Sequence, residues 1–179
     1  SVVLTGDGGD ELFAGYLRFN AAVIAGKVPP AVRGLIRALA NISPTGSSSR
    51  GWMSRVQRFA AAASLPLEER ITRWTSLFYD DVEELLAPEF LQSVMPIDRL
   101  QYLNRFRDQI PGLSTLSQVL LINFNTYLLD DLLVKTDRCT MANSLEARSP
   151  FLDTELIDFV AGLPDAMKLS RGRTKVILR

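Results

Sequence analysis

The sequence predicts a mainly helical chain that is part of a larger α/β parallel-sheet domain, and three observations predict it. Val2-Val3-Leu4 is an apolar run too short for a buried helix but suited to an inner parallel strand. Helix-spaced apolar residues fill most of positions 10–129. Between the two lies Thr5-Gly-Asp-Gly-Gly-Asp10, whose glycines let backbone take positive φ and approach a ligand closely. A lone strand cannot satisfy its own backbone groups. Val2–Leu4 is therefore expected to pair with polypeptide outside this sequence, or not to be a strand at all, and residues 1–179 are expected to be one partial domain.

Strand, glycine-rich turn and helix start together aim free backbone N–H groups at an anion. Asp10 is expected to cap the helix, with Glu11 in its first turn. Asp7 and Asp10 would repel a polyphosphate unless a hard cation sat between them, and Mg²⁺ suits carboxylates that leave several waters in place. A plain strand-to-helix turn capped by Asp10 is the competing reading. The stretch is not a P-loop, which needs Gly-Lys-Ser/Thr. It is not a dinucleotide fingerprint either, because Glu11 stands where the third glycine belongs.

Composition removes several function classes. Lys and Arg total 20 against 20 Asp and Glu, so the basic excess of a nucleic-acid-binding surface is missing. No apolar run reaches the roughly 18 residues of a membrane span, and Ser1 opens no signal peptide. The single cysteine, Cys139, fits a reducing cytoplasm and is expected to be a buried, structural thiol. With no histidine, neither a Ser-His-Asp triad nor a Cys-His pair can be built. Any metal here should be oxygen-ligated, which again favours magnesium.

Taken in order, residues 10–26 read as one helix ended by Gly26 and Pro29-Pro30, and residues 31–42 as a second. Ser43–Gly51 is polar and glycine-containing, and is expected to be a flexible loop. A helix follows over Trp52–Ala63, and Pro66 opens another reaching about Tyr79, with Trp74, Leu77 and Phe78 as core. Shorter helices fall at 80–86, 88–94 and 98–109. Ser114 caps the most hydrophobic helix, Leu116 to about Leu129, which should be central and buried. Asp131 and Lys135 form an i, i+4 pair, and Asp131 can start a further helix. Glu146 and Arg148 precede Pro150 in a segment that must be extended, either as a buried pair or as contacts for a substrate's amino or carboxylate group. Asp165–Arg179 holds Lys168, Arg171, Arg173, Lys175 and Arg179 against one acid. Such a tail is either solvated or, beside an anion loop, able to neutralise a departing anionic group.

Three stretches carry a resemblance. Leu4-Thr-Gly-Asp-Gly-Gly-Asp-Glu-Leu-Phe-Ala-Gly-Tyr16 resembles the pyrophosphate-loop region in the synthetase domain of glutamine-dependent asparagine synthetases. Asp131–Asp153 and Arg173-Thr-Lys-Val-Ile-Leu-Arg179 resemble two later segments of the same domain, whereas residues 20–115 match only loosely. The resemblance implies a piece of an ATP-pyrophosphatase-type (adenine nucleotide α-hydrolase-like) domain. Its reaction would be ATP-dependent amidation of aspartate through a β-aspartyl-adenylate, with ammonia from an N-terminal glutaminase domain.

Carried over by residue, Thr5, Gly6, Gly8 and Gly9 would contact pyrophosphate, and Asp10 would help hold Mg²⁺. Asp7 would lie near the reacting carboxyl, and Lys175 would steady the charge of the adenylate and leaving group. The family's first ATP-binding loop and the glutaminase half are absent from this sequence, so the chain alone is expected to be inactive. A homodimer is left open. A β-lactam-synthetase-like or other adenylating amide ligase is the nearest rival, and Asp7 tips the choice away from it because those enzymes have tyrosine there. A non-catalytic helical anion-binding or scaffold module is the rival of another class.

Overall fold

The computed structural model describes residues 1–42, 52–76, 82–94, 98, 100–109 and 112–179. Strand β1 (Val2–Leu4) leads through the glycine loop into α1 (Gly9–Leu12) and α2 (Leu17–Lys27), followed by α3 (Pro30–Ile42), α4 (Trp52–Ala63) and α5 (Leu67–Thr75). Short helices α6 (Val82–Leu85) and α7 (Pro88–Val94) precede α8 (Gln101–Gln109). Helix α9 (Thr115–Asn123) runs into a π-helical stretch (Phe124–Leu133) and then α10 (Val134–Met141). Strand β2 (Glu146–Arg148), a 3₁₀ turn (Pro150–Leu152), α11 (Thr154–Ala161), α12 (Asp165–Lys168), strands β3 (Leu169–Ser170) and β4 (Arg173–Thr174) and a last 3₁₀ turn (Val176–Leu178) complete the chain. The expected loop over Ser43–Gly51 and the end of the helix expected to reach Tyr79 lie outside the described residues. Two compact units result, one of residues 1–20 and 112–179 and one of residues 21–111.

In the first unit, β1 finds its partner within the chain. It pairs in parallel with β2, Val2 opposite Glu146 and Leu4 opposite Arg148, which corrects the expectation of an outside partner. The segment before Pro150 is extended, as the proline requires. Among the described residues β1 has no second neighbour, and Leu4 is 71% exposed, so the strand is not an inner one here. Glu146 and Arg148 do form an ion pair of 2.8 Å, but both side chains are more than half exposed. The buried pair is not found.

Ser114 caps α9 as expected, its hydroxyl accepting the Ser117 N–H at 3.0 Å. Leu116, Val119, Leu120, Ile122 and Leu128 are buried, whereas Leu129 is exposed. The helix does not restart at Asp131; it widens instead. Asn125 Nδ2 donates to the Leu121 carbonyl at 2.9 Å and Thr126 Oγ1 to the Ile122 carbonyl at 2.7 Å. Side chains that take i−4 carbonyls compete with the α ladder, and the backbone here is π-helical, with i→i+5 bonding. Asp131 and Lys135 are both exposed, without an ion pair among the described residues. Cys139 is exposed rather than buried, because α10 has no buried residues.

In the second unit the C-terminus of α4 is gripped by arginines. Arg70, only 3% exposed, donates to the carbonyls of Ala22, Ala62, Ala63 and Leu65 at 2.8–3.4 Å. Arg33 adds a bond to Ala63 at 3.3 Å. These carbonyls include orphan acceptors of a helix end, where cations are favoured. Burial lowers the Arg70 pKa, and neighbouring Arg33 adds to that, yet a guanidinium remains charged. Ala22, Ala25, Ala60, Ala62 and Ala63 are fully buried. Trp74 stacks on Phe59 with centroids 6.2 Å apart, a partly buried contact in keeping with its expected packing role. Among the described residues no helix is long and apolar enough to cross a membrane.

Candidate active site

The loop after β1 is held open on one side and packed on the other. Thr5 continues the sheet pairing, its N–H donating to the Arg148 carbonyl at 2.9 Å, and its hydroxyl donates to Asp7 Oδ2 at 3.0 Å. The Ser149 hydroxyl donates to the Asp7 carbonyl, tying the loop to the turn after β2. Gly6 faces empty space, for a Cβ there would meet nothing within 4 Å. The N–H groups of Gly6, Asp7 and Gly8 have no acceptor among the described residues, whereas the Gly9 N–H is taken by the Gly6 carbonyl at 3.2 Å. Free amides beside an open glycine are suited to an anion.

Gly8 and Gly9 are glycines for a second reason, which the sequence did not reveal. Gly8 precedes α1 at φ 86, and a Cβ there would lie 2.3 Å from Leu152 Cδ2. A Cβ on Gly9 would lie 3.2 Å from the Phe151 ring. The Pro150–Leu152 turn thus forms a floor under the loop, and Phe151 packs edge-on against Phe13 with centroids 5.9 Å apart. Gly8→Ala combines left-handed backbone with overlap, and is expected to cost about 1–3 kcal/mol in a chemical denaturation measurement. A loss within scatter of zero would show that the floor yields.

Asp10 does not cap the helix. The cap position belongs to Gly8, with no side-chain cap bond, and the helix expected over 10–26 breaks after Leu12. Ala14 takes a left-handed φ of 56°, and the Gly15 N–H turns back to the Asp10 carbonyl at 2.8 Å before α2 begins. Freed from capping, Asp10 meets the far end of the chain: Lys175 Nζ lies 2.9 Å from Asp10 Oδ1, with 30% and 37% of the two side chains exposed. The Lys175 N–H also donates to the Phe13 carbonyl at 3.0 Å, and Lys175 has a φ of 53°. The β3–β4 hairpin delivers it there, turning through Arg171 (φ 49°) and Gly172 (φ 78°) as a two-residue hairpin loop requires. Arg171, Arg173 and Arg179 are exposed, so of the basic tail only Lys175 joins the loop.

Lys168 departs from the solvated-tail reading in another way. It is 3% exposed, and burial lowers its pKa, with Asp165 partly opposing. It lines a cavity of about 360 Å³ together with Glu11, Leu12, Leu120, Phe124 and Val160. Glu11, 2% exposed, accepts the Tyr16 hydroxyl at 2.7 Å. Burial and that carboxylate push the Tyr16 pKa well up. The Arg18 guanidinium sits 3.8 Å from the centre of the Tyr16 ring and donates to Asn123 Oδ1 at 3.2 Å. This buried polar group escaped the sequence reading, which placed Glu11 in the first turn of a helix and gave Tyr16 no polar role. The available signal was an acid immediately before Leu12-Phe13, where a solvent-facing residue is out of place.

Among the described residues no cluster of three or more acids, cysteines or histidines could hold a metal by itself. Of the two acids in the loop, the Asp7 carboxylate accepts from the Thr5 hydroxyl and the Asp10 carboxylate pairs with Lys175. Asp130, Asp131 and Arg138 are exposed and take no part in this loop.

The asparagine synthase family model matches residues 1–179. The chain is similar to asparagine synthetase [glutamine-hydrolyzing] 1 of Bacillus subtilis (strain 168), with 27% identity over 182 residues covering 100% of this chain and 27% of that protein. Asparagine synthetase [glutamine-hydrolyzing] 3 of the same strain is 26% identical over 184 residues, covering 99% of this chain and 23% of that one. A Mycobacterium tuberculosis (strain ATCC 25618 / H37Rv) protein described as a candidate glutamine-hydrolyzing asparagine synthetase is 31% identical over 186 residues, covering 99% and 26%. The chain thus spans about a quarter of the length of these curated relatives. No solved structure matches it.

Proposed function

The chain belongs to the asparagine synthase family, and on that premise we propose that it forms the pyrophosphate side of an aspartate-adenylating active site. The reaction is a ligase's. The side-chain carboxylate of aspartate attacks the α-phosphorus of ATP, the bond to the bridging oxygen breaks, and pyrophosphate leaves. Ammonia from glutamine then attacks the acyl carbon, a proton is lost, and AMP departs to leave asparagine. Residues beyond this chain supply the adenine pocket and the glutaminase. On this reading β1 and β2 are part of the parallel sheet of an ATP-pyrophosphatase-type domain.

Each loop residue has a place in that reading. The free amides of Gly6, Asp7 and Gly8 receive phosphate oxygens, with Thr5 and Gly9 shaping the same turn. Asp10, with Asp7 nearby in sequence, would hold Mg²⁺, which supplies charge neutralisation on the phosphates. Lys175 offsets the negative charge that grows on the leaving oxygens. Asp7 lies near the reacting carboxyl.

The observation that carries the proposal is the meeting of Lys175 with Asp10 at 2.9 Å, with Lys175 itself and Ala14 both in left-handed backbone. A partly exposed ion pair stabilises a protein by under about 1 kcal/mol. Left-handed backbone costs a non-glycine residue on the order of 1–2 kcal/mol, so the arrangement loses more in strain than the pair returns. Ser144 and Arg171 are left-handed as well, so what points to function here is the coincidence of such backbone with a charge pair between positions 10 and 175. It also weighs against an inert scaffold, which has no use for it.

Exchange of labelled pyrophosphate into ATP tests the proposal. The full-length protein is expected to catalyse exchange that depends on both aspartate and Mg²⁺, and this chain alone to stay at background. Exchange that ignores aspartate, or none in the full-length protein, overturns it.

A further inference from the structure

We propose that Gly15 is a positioning residue: its missing Cβ is what allows the Asp10 carboxylate and the Lys175 ammonium to close on each other. The inference rests on the reading that these two groups serve adenylation.

Conformational freedom is not the reason for glycine at this position. Gly15 is absent from the residues with positive φ, so no left-handed backbone demands a glycine there. Space is the reason. A Cβ on Gly15 would lie 1.7 Å from Asp10 Oδ1, 2.6 Å from Asp10 Cγ and 2.4 Å from Lys175 Cε. All three are far inside van der Waals contact, and all belong to the two side chains of the ion pair. Main-chain bonds fix the surroundings: the Gly15 N–H on the Asp10 carbonyl and the Lys175 N–H on the Phe13 carbonyl. The Phe13–Gly15 turn therefore holds both partners by their backbones and leaves their side chains just enough room to meet. Of the groups an added methyl would strike, the charged ends can swing away and the backbone need not. Gly15→Ala should displace the pair while the fold stays intact. Gly34, in α3, is the natural control, because a Cβ there meets nothing within 4 Å.

Two measurements test this. In the full-length protein, Gly15→Ala is expected to slow aspartate-dependent pyrophosphate exchange on the order of 10²-fold, as removal of one transition-state charge does. In a Lys175→Ala background the same change should cost clearly less than it does alone, because the displaced ammonium is already gone and only the displacement of Asp10 remains. In this chain, the Cε and Nζ resonances of Lys175 should move alike in Gly15→Ala and Asp10→Asn, and stay in place in Gly34→Ala. Full additivity in the double variant, an unmoved Lys175 resonance in Gly15→Ala, or a chain that no longer folds would each overturn the inference. If Lys175→Ala leaves exchange unchanged, the adenylation reading fails instead, and the resonances still decide whether Gly15 positions the pair.

Discussion

Lys175→Ala in the full-length protein is expected to lower kcat for adenylate formation on the order of 10²- to 10³-fold while changing the KM for ATP much less. The charge this ammonium opposes is greatest on the leaving oxygens in the transition state, so its loss falls on the chemical step rather than on binding. The fold should hardly notice: the pair with Asp10 is about a third exposed on each side, and alanine keeps the N–H that donates to the Phe13 carbonyl. Lys175→Arg should rescue poorly. A guanidinium is broad and planar where an ammonium is compact. The space beside Gly15 is also already tight, since one added carbon there would lie 2.4 Å from Lys175 Cε. Single-turnover measurement of adenylate formation distinguishes the cases. An unchanged kcat with only a raised KM for ATP would make Lys175 a binding residue.

Arg70→Met is expected to cost about 3 kcal/mol of stability. The guanidinium serves four carbonyls, those of Ala22, Ala62, Ala63 and Leu65. A buried acceptor left without a donor costs roughly 1–3 kcal/mol; methionine matches the volume of the stem and donates to none of the four, although Ala62 keeps the Leu65 N–H and Ala63 keeps Arg33. Relaxation and entry of water should recover part of the sum, which is why the expectation lies below simple addition. At this chain length about 3 kcal/mol corresponds to a fall in Tm of roughly 6–12 °C. Arg70→Lys should recover only a fraction, because one ammonium cannot span four acceptors in two directions. A midpoint shift of a degree or two for Arg70→Met would show that these carbonyls find other donors.

Much of the chain is written in local signals. Ser114 announces its helix and caps it. The segment before Pro150 is extended, and the helix expected over Trp52–Ala63 has those bounds. The loop Thr5–Asp10 stands out by its glycines, and Gly6 within it faces open space. Caps, prolines and glycines act within one turn of themselves, so they are legible without knowing what lies across the fold.

What the sequence by itself determined, then, is the order of helices, the position of the loop and the kind of chemistry its residue types allow. Tertiary structure alone decided the rest. Asp10 could have capped a helix, and did not, because the helix starts earlier, with Gly8 at the cap position, and Lys175 arrives from a distant part of the chain. Val2–Leu4 could have been an orphan strand, and pairs instead with Glu146–Arg148. Glu11, Arg70 and Lys168 carry charges that a one-dimensional reading assigns to solvent, yet each is at least 95% buried, while Cys139 is exposed. Burial, strand pairing and the close approach that Gly15 permits are all properties of residues brought together from distant parts of the chain. No local preference encodes them, because the free energy that fixes them belongs to contacts between segments and not to any segment alone.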